Sequence, residues 1–353
     1  MCDFTIYGTP HPEWLAAASS LPTPPPGLNI QETRKYMNDQ REKIAATSMR
    51  LLGHQVSLHD HRIPARDGSL IEARSYRPVS ARLDAILPVY VHLHGGGFFF
   101  GTLSSEDGMC ARIAINAGVV VLNVNYRHTP EFTYPTAWHD THDAFAWLHA
   151  HISEPGIRGD PDRVVMGGIS AGAQLTASFA LQQHLGKVAP SLPSIKGQVL
   201  MIPCLVNQGC YAKMLSQIKD PRLSSYVQNE NAPILSVKTM RFFDQMLKTN
   251  PDPDDLVLNP GNAAPEQVRG LPPTVFGITG LDPLRDEGLL YARMLTEAGV
   301  PTDVNMFSGL PHGFRRAGDK IQDSERWDRV MERGVLWVLD SPVSAGEFEI
   351  KTK

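Results

Sequence analysis

Ser170 stands in the string Gly168-Ile169-Ser170-Ala171-Gly172, between an apolar run at Val164-Val165-Met166 and an alanine-rich stretch that reads as a helix. A serine framed this way, where a strand gives way to a helix, is a hydroxyl held out on a tight turn, the arrangement of a nucleophile elbow. The flanking backbones come close there, which leaves no room for a Cβ at the glycines. Such a hydroxyl attacks a carbonyl only if a base takes its proton, and an imidazole base needs a carboxylate to fix its tautomer. Among thirteen histidines, His312 is singled out by its place in Leu310-Pro311-His312-Gly313-Phe314, just past a strand expected over 303–307. Asp282 opens Asp282-Pro283-Leu284-Arg285-Asp286, just past a strand expected over 275–280. Both belong to loops beyond the ends of successive strands, the edge of a parallel sheet at which ligands bind. Asp286, and after it Glu287, are the rival acids. Asp286 falls in the first turn of a helix expected over 284–297, where a carboxylate suits the helix N-terminus on its own account.

Acyl transfer passes through a tetrahedral oxyanion, and backbone N–H groups aimed at that oxygen are a large catalytic term. The run Tyr90-Val91-His92-Leu93-His94-Gly95-Gly96-Gly97-Phe98 supplies them: a strand that stops at glycines, where the main chain can approach a ligand. Gly95 and Gly96 are assigned as two donors and Ala171, the residue after the serine, as the third. Phe98, Phe99 and Phe100 follow the glycines directly, so Phe98 and Phe99 are taken as substrate contacts, with one of the three expected to face the core. Ile169, Tyr211 and Phe242 complete the candidate apolar lining, since small-molecule sites are mostly apolar.

These residues together resemble the hormone-sensitive-lipase-like branch of the α/β-hydrolases, which includes many microbial and fungal carboxylesterases. The resemblance rests on His94-Gly95-Gly96-Gly97, Gly168-Ile169-Ser170-Ala171-Gly172, Asp282-Pro283-Leu284-Arg285-Asp286-Glu287-Gly288 and His312-Gly313-Phe314. Tyr126-Arg127-His128-Thr129-Pro130-Glu131 is similar to a further turn of that family, and the match spans roughly residues 85–340. The chain order Ser170, Asp282, His312 is also that of the α/β-hydrolases. The resemblance implies a mostly parallel sheet flanked by helices under a helical cap, a serine-triad ester hydrolase, and no cofactor. Ile169 stands where the family usually has Asp, Ala173 where it has a second Gly, and His128-Thr129 where it has Leu-Ala.

The elements that must position these residues alternate along the chain. A helical pattern over 31–52 precedes strand-like runs over 55–61 and 69–77, which form a hairpin around Arg66-Asp67-Gly68. Further strands are expected over 89–94, 119–125, 163–168 and 196–202, and helices over 108–117, 136–151 and 171–186. Strands alternating with helices of this length imply right-handed crossovers and a mostly parallel sheet. The prolines at 22, 24, 25 and 26 stop any helix in residues 1–28. Residues 205–272 break the alternation, with aromatics and methionines but no strong strand. The division read from this is 1–54 as an N-terminal segment contributing to the cap, 55–204 and 272–345 as the catalytic domain, and 205–271 as a cap insertion.

A net charge of −4 with mixed signs and no basic stripe gives no reason for a nucleic-acid partner. No apolar stretch is long enough to span a membrane, and the first residues make a poor secretory signal, so a cytoplasmic protein is expected. Cys2, Cys110, Cys204 and Cys210 lack metal-type spacing and read as reduced thiols. His59 with His61, His92 with His94, and the group His139, Asp140, His142 and Asp143 suggest a metal; His92 and His94 share one face of a strand, but His94 already belongs to the His-Gly-Gly-Gly run with no third ligand spaced to join it, and no metal is expected. The partner expected is a small-molecule ester with a short or medium acyl chain, an acetylated secondary metabolite among the options. A homodimer is left open. The alternatives are a biosynthetic lactonase, dehydratase or cyclase on the same scaffold, or a non-catalytic small-molecule receptor, against which the retention of Ser170, Asp282 and His312 counts.

Overall fold

The computed structural model describes residues 1–353, the side chain of Ser20 apart. Eight strands form one sheet: β1 (Val56–Pro64), β2 (Leu70–Pro78), β3 (Leu87–Leu93), β4 (Val120–Asn125), β5 (Gly159–Ile169), β6 (Gly197–Met201), β7 (Thr274–Leu281) and β8 (Thr302–Pro311). Their order is β1-β2-β4-β3-β5-β6-β7-β8. The β1–β2 hairpin is antiparallel and β2 runs antiparallel to β4, while every pairing from β4 to β8 is parallel. Sequence and position agree. The inner β4, Val120-Val121-Leu122-Asn123-Val124, is buried along its length, as a parallel strand covered on both faces must be. Edge strand β1 carries Ser57, His59 and Asp60 into solvent.

The helices are α1 (Pro12–Ala17), α2 (Ile30–Leu52), α3 (Asp107–Ala117), α4 (Thr136–His151), α5 (Ala171–His184), α6 (Ala212–Leu215), α7 (Ser225–Gln228), α8 (Val237–Leu247), α9 (Pro265–Val268), α10 (Arg285–Glu297) and α11 (Asp323–Leu339). Two apolar layers sandwich the sheet. Phe145, Phe179 and Leu289, from α4, α5 and α10, pack on one face, and Ile113, Trp327 and Val335, from α3 and α11, pack on the other. Helix α5 is buried from Ala171 to Gln183, and its alanines let it lie close to the strands. None of the helices among the described residues is long and apolar enough to cross a membrane.

Three expectations need correction. Residues 1–28 do contain a helix, because Pro12 sits at the start of α1, where its fixed φ and missing N–H cost nothing. Strand β5 begins at Gly159 rather than at 163. Strand β8 continues to Pro311 instead of ending at 307, with Gly309 at φ 67° and its carbonyl accepting from His11 N at 2.9 Å.

Because β8 runs on to Pro311, register brings the chemistry together. Leu281 of β7 pairs with Pro311 of β8, so Asp282 and His312 leave the sheet side by side. Leu93 of β3 pairs with Gly168 of β5, so the glycines after His94 leave it beside Ser170.

Candidate active site

Ser170 adopts φ 55° and ψ −115°, a conformation that side-chain-bearing residues rarely take. It is pinned by Ser170 N donating to Met201 O at 2.8 Å and by Gln174 N donating to Ser170 O at 3.0 Å. The turn needs its glycines: a Cβ on Gly172 or Gly168 would strike the Leu93 carbonyl. Ser170 Oγ lies 2.9 Å from His312 Nε2, and His312 Nδ1 lies 2.7 Å from Asp282 Oδ2. A carboxylate only accepts, so it keeps the imidazole proton on Nδ1 and leaves Nε2 free to accept from the serine. Asp282 is itself fixed by Thr279 Oγ1 at 2.8 Å and Leu284 N at 2.9 Å.

The rival acids are engaged elsewhere. Asp286 takes Arg285 Nε at 2.8 Å and Ser225 N at 2.6 Å. Glu287 accepts from Leu205 N at 2.6 Å and from Tyr226 Oη at 3.3 Å, which ties α10 to the start of the 205–271 segment. Burial pushes Glu287 up to about 8, against the backbone donors at Leu205 and Val206, which pull it down.

Beside Ser170, no N–H of Gly95, Gly96 or Ala171 has a hydrogen-bond partner among the described residues. The carbonyls of this loop, by contrast, are held from behind. Tyr126 Oη donates to His94 O at 2.7 Å, and both terminal nitrogens of Arg41 donate to Gly95 O at 3.0 Å. In a trans peptide the C=O and the following N–H point in opposite directions. Tyr126 therefore fixes the direction of the Gly95 N–H, and Arg41 that of the Gly96 N–H. Arg41 comes from α2 and is paired with buried Glu106 at 2.7 Å. Burial alone would raise Glu106, but Arg41, His92 and His94 outweigh it and hold the carboxyl at about 2. Under the loop, His94 and His128 approach Nε2 to Nε2 at 3.2 Å, and burial lowers His94 to about 4. Both rings are then neutral at physiological pH and share one proton between the two nitrogens.

Above these groups opens a cleft of about 750 Å³ that takes in Ser170, His312 and Gly95–Gly97. Its walls come from residues 14–48 and from the 205–271 segment, including Met37, Ile44, Leu235, Phe243 and Leu247. Ile169 and Phe98 line it, with the Phe98 ring stacked on Trp138 at 5.0 Å. Three expected contacts do not. Phe99 is 1 % exposed and turned edge-on to Phe242 at 5.8 Å, with the Arg34 guanidinium over its other side. Phe242 turns away because consecutive residues on a helix point about 100° apart, and it is Phe243 that faces the cleft, edge-on to Phe100 at 6.0 Å. Tyr211 is buried against Tyr226 at 4.2 Å. Phe100 and Phe243 replace them. The sequence reading also missed Arg41 and Glu106, which look like ordinary charges on helical faces; only the position of Glu106 on the chain just after the glycine loop hinted at it.

The histidine pairs scatter. His61 bonds Ser75 Oγ at 2.8 Å, His92 faces Glu106 at 3.3 Å, Asp140 holds Arg127 at 2.6 Å and Asp143 holds Arg66 at 2.8 Å. No group of three such side chains among the described residues is arranged to hold a metal ion.

Comparison with known proteins agrees with this architecture. A family model described as the α/β-hydrolase fold matches residues 90–316. Esterase LipI of Mycobacterium tuberculosis is 34% identical over 251 residues, covering 69% of this chain and 71% of its own length. Versiconal hemiacetal acetate esterase of Dothistroma septosporum is 30% identical over 254 residues, covering 72% and 74%. The crystal structure of vibralactone cyclase superposes with a TM-score of 0.83 at 26% identity, covering 95% of this chain and 96% of that one. The chain belongs to the α/β-hydrolase fold family, in its hormone-sensitive-lipase-like branch, and is a carboxylic ester hydrolase.

Proposed function

We propose that the protein is a serine carboxylesterase acting on short- to medium-chain esters through Ser170, His312 and Asp282. The observation that carries this reading is the continuous hydrogen-bonded path from Ser170 Oγ through His312 to Asp282, at the floor of an apolar cleft. Ser170 attacks the ester carbonyl as His312 Nε2 takes its proton. The resulting oxyanion is received by the N–H groups of Gly95, Gly96 and Ala171. Collapse expels the alcohol, protonated by His312, and leaves an acyl group on Ser170. Water, deprotonated by the same imidazole, then releases the acid and restores the serine. Residues 1–54 and 205–271 act as a cap whose apolar side chains hold the substrate. Deacetylation of a secondary metabolite fits the likeness to an esterase named for a hemiacetal acetate.

A second reading has one observation in its favour, the likeness to a cyclase over nearly the whole chain. In that reading a hydroxyl of the substrate itself displaces Ser170 from the acyl-enzyme in place of water, which gives a lactone and the free serine.

Hydrolysis of a p-nitrophenyl ester series from acetate to palmitate, with Ser170→Ala alongside, tests the first reading. Turnover should peak at short chains and vanish in the variant. Near-wild-type turnover in Ser170→Ala would refute the mechanism, and cyclised product from a hydroxy ester would favour the second reading.

A further inference from the structure

Four arginines line the cleft: Arg41, Arg112, Arg315 and Arg316. Three are paired with carboxylates. Arg41 pairs with Glu106 at 2.7 Å, and Arg315 and Arg112 share Asp328 at 2.7 and 3.5 Å. The remaining cleft carboxylate, Asp244, is taken by Asn207 Nδ2 at 2.5 Å and Thr249 Oγ1 at 3.1 Å. The guanidinium of Arg316 has no hydrogen-bond or ion-pair partner among the described residues. The residue is exposed, and solvent reaches it through the cleft. It remains a full cation at neutral pH. An unpaired guanidinium presents a planar fork that suits a carboxylate.

Its place is next to the chemistry. Arg316 lies in the helical turn Phe314–Lys320 that follows His312, and its side chain folds back over Gly313. A Cβ built on Gly313 would lie 3.7 Å from Arg316 Nε and 4.0 Å from Cζ, with Ile234 at 3.8 Å on the same side. In the mechanism above, the leaving oxygen must reach His312 Nε2 to be protonated, so the alcohol half of the ester lies on the His312 flank. Gly313, Ile234 and Arg316 form that flank.

We propose that Arg316 seats a carboxylate on the alcohol half of the ester, so that the enzyme selects esters whose leaving alcohol is anionic. The proposal rests on the serine-esterase reading for its orientation, and no bond to Arg316 forms or breaks. It goes beyond that reading because an apolar cleft alone would favour neutral alcohols.

The test compares 3- and 4-acetoxybenzoate with the corresponding acetoxybenzamides. The amide is the more electron-withdrawing group, so intrinsic reactivity favours the neutral ester, and a preference for the carboxylate must come from the protein. In the wild type, kcat/KM for at least one acetoxybenzoate should exceed that of its amide by about tenfold, the scale of one charge-assisted hydrogen bond. Arg316→Gln should bring the ratio to one or below, mainly through KM, and Arg316→Lys should keep part of it. Taking the ratio within each protein cancels any general loss of activity or folded fraction. A wild-type ratio at or below one for both isomers, or a ratio unmoved by Arg316→Gln, would overturn the proposal. Calorimetric binding of 4-hydroxybenzoate and 4-hydroxybenzamide to the full-length wild-type protein separates the two levels of the argument. If neither ester is hydrolysed but the benzoate binds more tightly, the seat stands and the esterase reading falls; equal affinities refute the seat.

Discussion

At the floor of the cleft, the polar side chains are partnered through to the core. Asp282 holds His312, Tyr126 and Arg41 hold the carbonyls behind the glycine loop, and Glu106 holds Arg41. The roof is different: Met37, Ile44, Leu235, Phe243 and Leu247 present apolar surface, and among the described residues lining the cleft Arg316 is the charge left unpaired. In the proposed mechanism the floor is preorganised for acyl transfer to and from any ester, since donors fixed in advance need no reorganisation as charge develops. In the same proposal the roof selects which ester enters. Among the links that join these regions are Arg41 from α2 to Gly95 and Glu287 from α10 to Leu205.

Substitutions in the two regions should therefore fail in different ways. The largest effect belongs to the floor: Ser170→Ala should lower kcat by roughly 10⁴- to 10⁶-fold, and Asp282→Asn by about 10⁴-fold through the wrong imidazole tautomer. Steady-state kinetics on one short-chain ester checks both, and retention of more than a tenth of the activity in either would break the assignment. Next comes Arg41→Met. Freeing the Gly95 carbonyl should cost about 10- to 100-fold in kcat, less than deleting a whole oxyanion donor, with KM nearly unchanged. A loss confined to KM would instead make Arg41 a roof residue. Phe243→Ala should leave kcat for acetate nearly intact and shift the octanoate-to-acetate ratio of kcat/KM upward by about tenfold, the scale of a few methylenes in an apolar pocket. An unchanged ratio would remove Phe243 from the substrate wall.

The smallest effect is on stability and concerns the second link. Burial raises Glu287 to about 8 from the ordinary 4.5. The folded state therefore holds this proton more tightly than the unfolded chain. The associated stability is fully present below the unfolded value and is lost as pH rises through the folded one. Glu287→Gln keeps an acceptor for Leu205 N and, like the protonated carboxyl, presents a donor rather than an acceptor to Tyr226 Oη. Its melting temperature should match wild type near about pH 5 and exceed it by a few degrees near about pH 9. A gap of the same size at both pH values would mean that Glu287 does not titrate in this window.

The contrast between floor and roof also governs what could be read from sequence. The floor was legible because its signals are local: glycines where backbones touch, a serine between them, and an acid and a histidine just past strands. What blurred there was length, as at β8, where Ser308-Gly309 hides a strand that runs on to Pro311. The roof was not legible. Whether Phe99 or Phe100, or Phe242 or Phe243, faces the cleft depends on a rotation of one residue, which no periodicity in so short a segment specifies. Arg41 is one charge among many along α2, a mostly half-buried helix whose only buried residue is Ala45. Nothing in its neighbours marks it as the residue that reaches Gly95. Arg316 is the second of two adjacent arginines, and only the fold distinguishes the one paired with Asp328 from the one left free.

The central claim is that Ser170 is the nucleophile, and active-site titration tests it most directly. Diethyl p-nitrophenyl phosphate should release one equivalent of p-nitrophenol per protein, abolish esterase activity in proportion, and leave a diethylphosphoryl group on the peptide that contains Ser170, with no labelling of Ser170→Ala. Inactivation with the adduct on another residue, or full esterase activity in protein labelled at Ser170, would contradict the account.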